Sequence, residues 1–287
     1  MIERRMTLAV PNKGRLVDPT LHLLHDAGLV FEERDRSLVS RVENVDLDIL
    51  FVRTNDVVEF VRDAVADLGI TGGDLLAESE VDLPIVRRLG YGRCRLTAAV
   101  PSDAGPRRVE DLAGLRVATS HPRATRRWFD ERAIAVEVIP LSGAVEVAPR
   151  LGLAEAIVDL VSTGTTLASN GLRSIGDLLP SEAILVGNPD ALRARAADVD
   201  RLATMLGAVL EGRRRKYLMM NAPTDHLPEL EKLLPGLASP SVIPLAHAGM
   251  IAIHAVVGAD DVWDLLPRLK DAGATGILVL PIEKLIA

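Results

Sequence analysis

The run Asp159, Leu160, Val161, Ser162, Thr163, Gly164, Thr165, Thr166 closes an apolar stretch and opens onto Leu167 and a turn at Asn170 and Gly171. A Ser/Thr/Gly loop between a strand and a helix aims backbone N–H groups and hydroxyls at one point, where the helix dipole favours an anion. Glycine at 164 lets the backbone come close to such a group. A phosphate fits this loop; an N-cap and turn with no ligand is the plainer alternative. Asp159, just ahead, can accept hydrogen bonds from sugar hydroxyls while the loop holds the sugar's phosphate. Pro11, Asn12, Lys13, Gly14 and Arg15 make a second candidate after another apolar run. Lys13 offers a point charge and Arg15 a planar fork for phosphate oxygens, although two solvated surface charges would read the same way. Ile70, Thr71, Gly72, Gly73 and Asp74 put two glycines where a strand meets a helix, a place for backbone to approach a ligand. Arg53 and the group Thr119, Ser120, Arg123, Thr125 and Arg126 stand at two further strand ends. A single such arginine is usually a solvated side chain, so the convergence carries the reading.

These residues need a scaffold that gathers the C-terminal ends of several strands. Short apolar runs alternate here with amphipathic stretches, the pattern of strands and crossover helices around mostly parallel sheets, so the class is α/β. Strands are predicted at 7–10, 46–52, 68–71 and 95–100, with a helix over 54–65 capped by Thr54 or Asn55. The turn formers of 101–106 mark a first boundary. A second α/β domain follows, with strands at 116–118, 136–141 and 156–161 and helices at 124–132 and 143–151. A strand at 182–186 leads into one long helix over 190–213, with Leu192, Val199, Leu202, Met205, Leu206 and Leu210 on one side. The remainder reads strand 217–220, helix 226–234, strands 242–245 and 251–257, helix 262–272, strand 276–280, which is the βαββαβ order of a ferredoxin-like module.

The 287 residues carry 33 Lys plus Arg against 40 Asp plus Glu, a net charge of −7, which argues against nucleic acid as a partner. A hydrophobic share of 48% beside 25% charged residues describes a chain with a sizeable core and a polar surface, which excludes disorder. No apolar run is long enough to span a bilayer. The start, MIERRMTLAVPNKGR, breaks its apolar stretch too early for a signal peptide, so the chain reads as cytoplasmic. Cys94, the one cysteine, rules out an internal disulfide and a cysteine-based zinc site. His22 and His25 lack a third ligand, and His121, His226, His247 and His254 show no metal-ligand spacing, so no zinc is expected. With 3% aromatic residues there is no stacking platform for bases.

Together the blocks LAVPNKGRL (Leu8 to Leu16), DLGITGGDLL (Asp67 to Leu76), RVATSHPRATRRWF (Arg116 to Phe129), LSGAVEVAPRLGLAEAIVDLVSTGTTLASNGL (Leu141 to Leu172) and GILVLPIEK (Gly276 to Lys284) resemble the long form of ATP phosphoribosyltransferase, the first enzyme of histidine biosynthesis. The resemblance runs over essentially the whole chain, and the fourth block is its most specific part. It implies a two-lobed, periplasmic-binding-protein-like catalytic core plus a C-terminal ferredoxin-like, ACT-like regulatory domain. The expected spans are 1–95 with 182–215 for lobe I, 96–181 for lobe II and 216–287 for the regulatory domain.

The implied reaction is Mg²⁺-dependent attack of N1 of ATP on C1 of 5-phosphoribosyl 1-pyrophosphate, giving N1-(5-phosphoribosyl)-ATP and pyrophosphate. By resemblance Asp159 holds the ribose hydroxyls and Ser162, Thr163, Gly164, Thr165 and Thr166 hold the 5-phosphate. Lys13, Arg15, Arg53, Gly72, Gly73 and Asp74 line the facing wall, Glu146 is a candidate for the ribose or the metal, and Mg²⁺ is held mainly by pyrophosphate oxygens and water. Histidine is implied as an inhibitor bound between C-terminal domains of neighbouring subunits, with dimers and hexamers interconverting. Asn221, Ser241 and Gly276 match that site by motif. Some long forms carry Asp and Thr at the first two positions, a departure that bears on inhibitor affinity, and Gly73 stands where a larger polar residue is expected. Two rival readings remain. A prephenate dehydratase-like enzyme also joins such a core to a small regulatory domain and uses a threonine beside an arginine, as Thr125 and Arg126 stand here, but gives the 159–166 cradle no purpose. A non-catalytic small-molecule sensor is the other.

Overall fold

Apolar runs too short for helices become the strands of three sheets in the computed structural model, which describes residues 4–32, 38–234 and 239–286. Along the chain come β1 (Met6–Pro11), α1 (Val17–Asp26), β2 (Val39–Arg41), β3 (Leu47–Val52), α2 (Val57–Arg62), β4 (Leu68–Gly72), α3 (Gly73–Ser79) and β5 (Ile85–Arg88). Then follow β6 (Cys94–Pro101), β7 (Arg116–Thr119), α4 (Pro122–Asp130), β8 (Glu137–Pro140), β9 (Ala156–Val161), α5 (Thr165–Ser169) and β10 (Leu172–Ser181). The chain continues through β11 (Ala183–Gly187), α6 (Pro189–Ala194) and α7 (Ala196–Arg213). It ends in β12 (Arg215–Pro223), α8 (Leu227–Leu233), β13 (Ser241–Pro244), β14 (Met250–Gly258), α9 (Val262–Asp271) and β15 (Thr275–Pro281).

The first sheet has the order β2-β3-β1-β4-β11-β5, with β3, β1 and β4 parallel and β11 antiparallel to β4. The second has the order β10-β6-β9-β7-β8, with β9, β7 and β8 parallel. These sheets are the cores of two α/β lobes. Parallel strands buried on both faces need near-continuous apolar runs, and β1, β4 and β9 supply them: Leu8, Ala9, Leu68, Ile70, Ile157 and Val158 are all fully buried. The chain crosses between sheets twice, once between Arg88 and Cys94 and once at Glu182. The two crossings are tied by Leu89 N–H to Ala183 O and Ala183 N–H to Tyr91 O, both 2.9 Å.

The chain divides into two compact units, Met1–His25 with Leu29–Val199, and Asp26–Gly28 with Asp200–Ala287. The second contains the sheet β13-β14-β12-β15, antiparallel throughout. One face is packed by α8 and α9, with Leu218, Met220, Ile253, Leu230 and Leu269 in its core, which is the expected ferredoxin-like βαββαβ module. Among the described residues no helix is long and apolar enough to cross a membrane.

Several local expectations fail for identifiable reasons. The first boundary is not at 101–106: β6 already belongs to the second sheet, because Leu96 to Val100 pair with β9 and β10, and 101–106 is a turn inside that lobe. The helix expected over 143–151 is only a 3₁₀ turn, Val145–Val147. Ala144 ahead of it takes a left-handed φ of 51°, and Pro149 removes the N–H that a helix would need. The long helix is broken at Arg195, which leaves helical geometry at φ −124°. Its apolar stripe does persist into α7, where Val199, Leu202 and Leu206 are buried. Strands β2, β5 and β10 were not foreseen; β10 carries two register shifts and Pro180, which blur the alternation that marks a strand.

Candidate active site

The wall of lobe I is built at the C-terminal ends of three adjacent parallel strands. β1 and β3 run in register to Pro11 and Val52, and Asn12 N–H donates to Val52 O at 2.8 Å, so both loops leave the sheet side by side. Lys13 and Arg15 follow one strand and Arg53 the other, all exposed. Thr54 Oγ1 donates to Lys13 O at 3.1 Å, fixing one loop against the other. Gly14, at φ +91°, allows the turn that separates the two cations. Gly72 and Gly73 end β4 and begin α3. A Cβ at Gly72 would run into Asp74 Oδ1, so a side chain there would push that buried carboxylate aside.

Lobe II meets this wall with the ends of β7, β8 and β9. Asp159 lies on β9, and beyond it Ser162, Thr163, Thr165 and Thr166 form an exposed loop anchored by buried Val161 and Leu167. Gly164 caps α5 at φ +83°, and Thr163 and Thr165 share a hydroxyl hydrogen bond of 3.0 Å that sets the loop's shape. Asp159 accepts from Leu160 N–H at 2.8 Å. Its carboxyl nonetheless sits above the usual carboxylate range, because burial disfavours the charge by more than that hydrogen bond favours it; the charge of Glu146 adds to the rise and that of His121 offsets part of it. The Glu146 charge is thus near enough to Asp159 to act on it. Among the described residues no three His, Cys, Asp or Glu side chains gather as a metal cage.

Contacts across the lobes bring the two walls face to face. Asp74 is 3% exposed. Ser181 Oγ donates to its Oδ1 at 2.5 Å, His121 Nε2 lies 3.3 Å from its Oδ2, and the Arg15 guanidinium is 3.9 Å away. Burial pushes this carboxyl up, but the hydrogen bonds from His121 and Ser181 and the charges of His121 and Arg15 outweigh it and leave the group below its ordinary value. Asp74, expected to face the substrates, thus has both oxygens engaged by protein. Arg15 also donates to Cys94 Sγ at 2.9 Å. Thr125 is fully buried, its hydroxyl donating to Thr119 Oγ1 at 3.3 Å, so it is not available to a ligand as the dehydratase reading requires.

Sequence reasoning missed two groups. His121 carries no metal-ligand spacing, and its place just ahead of Pro122, at the start of α4, is the one signal that marks it. Arg88, Arg93 and Arg95 line a cavity of about 400 Å³ that also touches Ser162, Cys94 and Ser181. Glu182 pairs with Arg88 and Arg93, and Asp177 with Arg95. This cation-rich space adjoins the 162–166 loop, but Arg88 and Arg93 carry no motif.

In the second unit Asn221 (β12) and Gly276 (β15) are neighbours: a Cβ on Gly276 would lie 3.7 Å from Asn221 Nδ2. Gly276 takes φ +57°. Ser241 pairs with His254, on the same open sheet face but two strands from Asn221. Strand spacing puts that separation at roughly 10 Å or more.

The two-lobed core has the chain fold of an L-arginine-bound protein, Tv2483, at a TM-score of 0.50 and 13% identity over 72% of this chain and 85% of that one. It is closer to a chain of the ATP phosphoribosyl transferase (HisG:HisZ) complex from Thermotoga maritima, with a TM-score of 0.63 and 32% identity over 72% of this chain and 98% of the other. Over nearly full length the sequence is 44% identical to the ATP phosphoribosyltransferase of Gemmatimonas aurantiaca, covering 98% of this chain and 99% of that one. It is 43% identical to that of Methanopyrus kandleri, with the same coverage. Residues 53–208 match the ATP phosphoribosyltransferase family, HisG, and residues 212–284 match the HisG C-terminal domain. With the stretch that holds the 159–166 loop and the terminal βαββαβ unit both matched, and 44% identity over nearly the whole chain, this chain belongs to the ATP phosphoribosyltransferase family, the enzymes of the first step of histidine biosynthesis.

Proposed function

We propose that this enzyme joins ATP to 5-phosphoribosyl 1-pyrophosphate through N1 of the adenine, releasing pyrophosphate, and that histidine inhibits it. The observation that carries the reading is the division of charge across the cleft: exposed Lys13, Arg15 and Arg53 on one wall, and the Asp159 and Glu146 carboxylates beside a hydroxyl-rich loop on the other. Displacement at C1 develops positive charge on the ribose and negative charge on the departing pyrophosphate, so it needs positioning and opposed charges more than a nucleophilic side chain. Ser162 to Thr166 hold the 5-phosphate. Asp159 accepts from the ribose hydroxyls, which relieves its repulsion from Glu146, and both carboxylates face the ring where positive charge grows. Lys13, Arg15 and Arg53 meet the phosphates of the leaving group and of ATP, with Gly72 and Gly73 allowing close approach.

Mg²⁺ takes oxygen ligands and keeps several waters. The Asp159 and Glu146 pair, with no fuller cage near it among the described residues, fits a metal carried mainly on pyrophosphate, where it would neutralise the departing charge. We propose lobe I as residues 1–95 with 182–215, lobe II as 96–181 and a regulatory domain as 216–287. In that domain Asn221, Ser241 and Gly276 would contact histidine between copies of the chain in a dimer or hexamer. The separation of Ser241 from Asn221 within one copy supports a site completed by a neighbour.

The test mixes the protein with ATP, 5-phosphoribosyl 1-pyrophosphate, Mg²⁺ and a pyrophosphatase and follows phosphoribosyl-ATP by mass spectrometry, with and without histidine. Product suppressed by histidine is expected. Product insensitive to histidine refutes the regulatory assignment, and no product from folded protein refutes the reaction.

A further inference from the structure

Helix α4 of lobe II lacks a cap of its own. Its N-cap residue is His121, whose side chain makes no capping hydrogen bond. Pro122 has no N–H, and the first intrahelical bond is Thr125 N–H to His121 O. The N–H groups left over are those of Arg123 and Ala124. Both donate to Glu78 of lobe I's α3, at 3.1 and 2.9 Å. Arg127 returns the contact by donating to Ala77 O at 3.0 Å. His121, freed from capping its own helix, reaches Asp74 at the other end of α3. Asp74 is ionised and can only accept, so Nε2 carries the proton, and Nδ1 faces Ser120 Oγ at 3.0 Å. Each lobe thus satisfies polar groups that the other leaves open.

We propose that this α3/α4 seam sets the separation of the two substrate-bearing walls, with His121 and Glu78 as its positioning residues. The inference rests on the reaction proposed above. His121 is 5% exposed and reaches substrate only through what it holds. On lobe II it precedes α4 beside β7, the strand next to the one that carries Asp159. On lobe I it holds Asp74, which is within 3.9 Å of the Arg15 guanidinium. Opening the seam would strand a buried carboxylate, an imidazole and two helix N–H groups at once, so the walls stay registered only while it is made. The ribose and 5-phosphate are held by lobe II alone, so their binding does not need the seam, whereas the donor's pyrophosphate also meets lobe I. Attack across the cleft does, since misplacement of reacting groups by about 1 Å can cost about 10²-fold in rate.

The full-length protein and its His121→Ala, His121→Gln and Glu78→Ala variants test this. His121→Ala and Glu78→Ala should each lower kcat about 10- to 100-fold. Affinity for ribose 5-phosphate, the part of the donor assigned to lobe II alone, measured by calorimetry, should stay within about threefold. His121→Gln, which keeps an N–H donor, should recover most of the lost kcat. Hydrogen exchange at the Arg123 and Ala124 amides should accelerate in His121→Ala, because the seam opens as one unit. Unchanged kcat in both alanine variants, ribose 5-phosphate affinity falling in step with kcat, or unchanged exchange at those amides overturns the proposal. If the wild type makes no phosphoribosyl-ATP, the reaction assignment fails, and the exchange measurement still decides whether the seam exists.

Discussion

Replacing Asp159 by asparagine should divide activity from stability in opposite directions. Asp159 is half-buried, held above the ordinary carboxylate range by burial first and then by Glu146. A carboxyl whose folded pKa is raised disfavours folding once the pH exceeds its unfolded value, so at pH 7 the ionised group is a full penalty on the ligand-free protein. Asparagine is isosteric and neutral, and its Oδ1 can still accept from Leu160 N–H. For a partly exposed charge the gain should be up to about 1 kcal/mol, or about 2–4 °C in Tm for a unit of this size. That gain should shrink as the pH falls through the carboxyl's raised range toward the ordinary carboxylate value. Turnover should move the other way. Charge-assisted hydrogen bonds to two ribose hydroxyls are worth about 1.5–3 kcal/mol each, so kcat/KM should fall by roughly 10²–10⁴. Thermal melts at pH 7 and pH 4 with and without the phosphoribosyl donor, together with steady-state rates, read both effects. A lower Tm at pH 7 in the ligand-free variant, or activity within tenfold of wild type, would refute the reasoning.

Other expectations follow from single residues. Gly164→Ala meets nothing closer than Val161 Cγ1 at 4.0 Å but must adopt φ +83°; a left-handed strain of about 1–2 kcal/mol should raise the donor's KM roughly 5- to 30-fold and leave the KM for ATP little changed. Arg116 holds Glu155 through a 2.5 Å side-chain bond and a 2.9 Å bond from its backbone N–H, drawing the carboxyl down to about 2. That depressed value gives stability present above the ordinary carboxylate range and lost as the pH falls from about 4.5 toward 2. With 43% of the side chain exposed the effect is about 1 kcal/mol or less, and Glu155→Gln should flatten this part of the urea midpoint against pH. Asn188, 6% exposed, caps α6 by accepting from Asp190 and Ala191 N–H and also donates to Val61 O. Asn188→Ala should cost about 1–3 kcal/mol by urea unfolding.

The parts of the site legible in the sequence are those whose information is local. A strand followed by Ser162, Thr163, Gly164 and Thr165 can be read without knowing what faces it, and so can Lys13 to Arg15 after β1. The glycine at 164 is needed for a positive φ that the order of residues already suggests. What escaped reading depends on partners distant along the chain. Asp74 looked like a ligand because Gly72 and Gly73 precede it, yet its carboxylate is spent on Ser181, 107 residues away, and on His121, 47 away. No spacing rule joins Glu78 to the start of α4. The 143–151 stretch has helical apolar spacing, but Ala144 at φ 51° and Pro149 override it.

These distant contacts also explain why an acidic chain can gather cations at its cleft. Arg15 stands beside buried, ionised Asp74, and Arg88 and Arg93 share Glu182, so each wall arginine with a carboxylate behind it is held without a salt bridge across the cleft. The supporting carboxylates are largely withdrawn from solvent: Asp74 is 4% exposed by side chain and Glu182 17%. The arginines are 42%, 65% and 70% exposed, so an incoming phosphate meets the guanidinium before the acid that anchors it. Removing the anchor should therefore weaken anion binding by letting the arginine move, even though the net charge of the site becomes more positive.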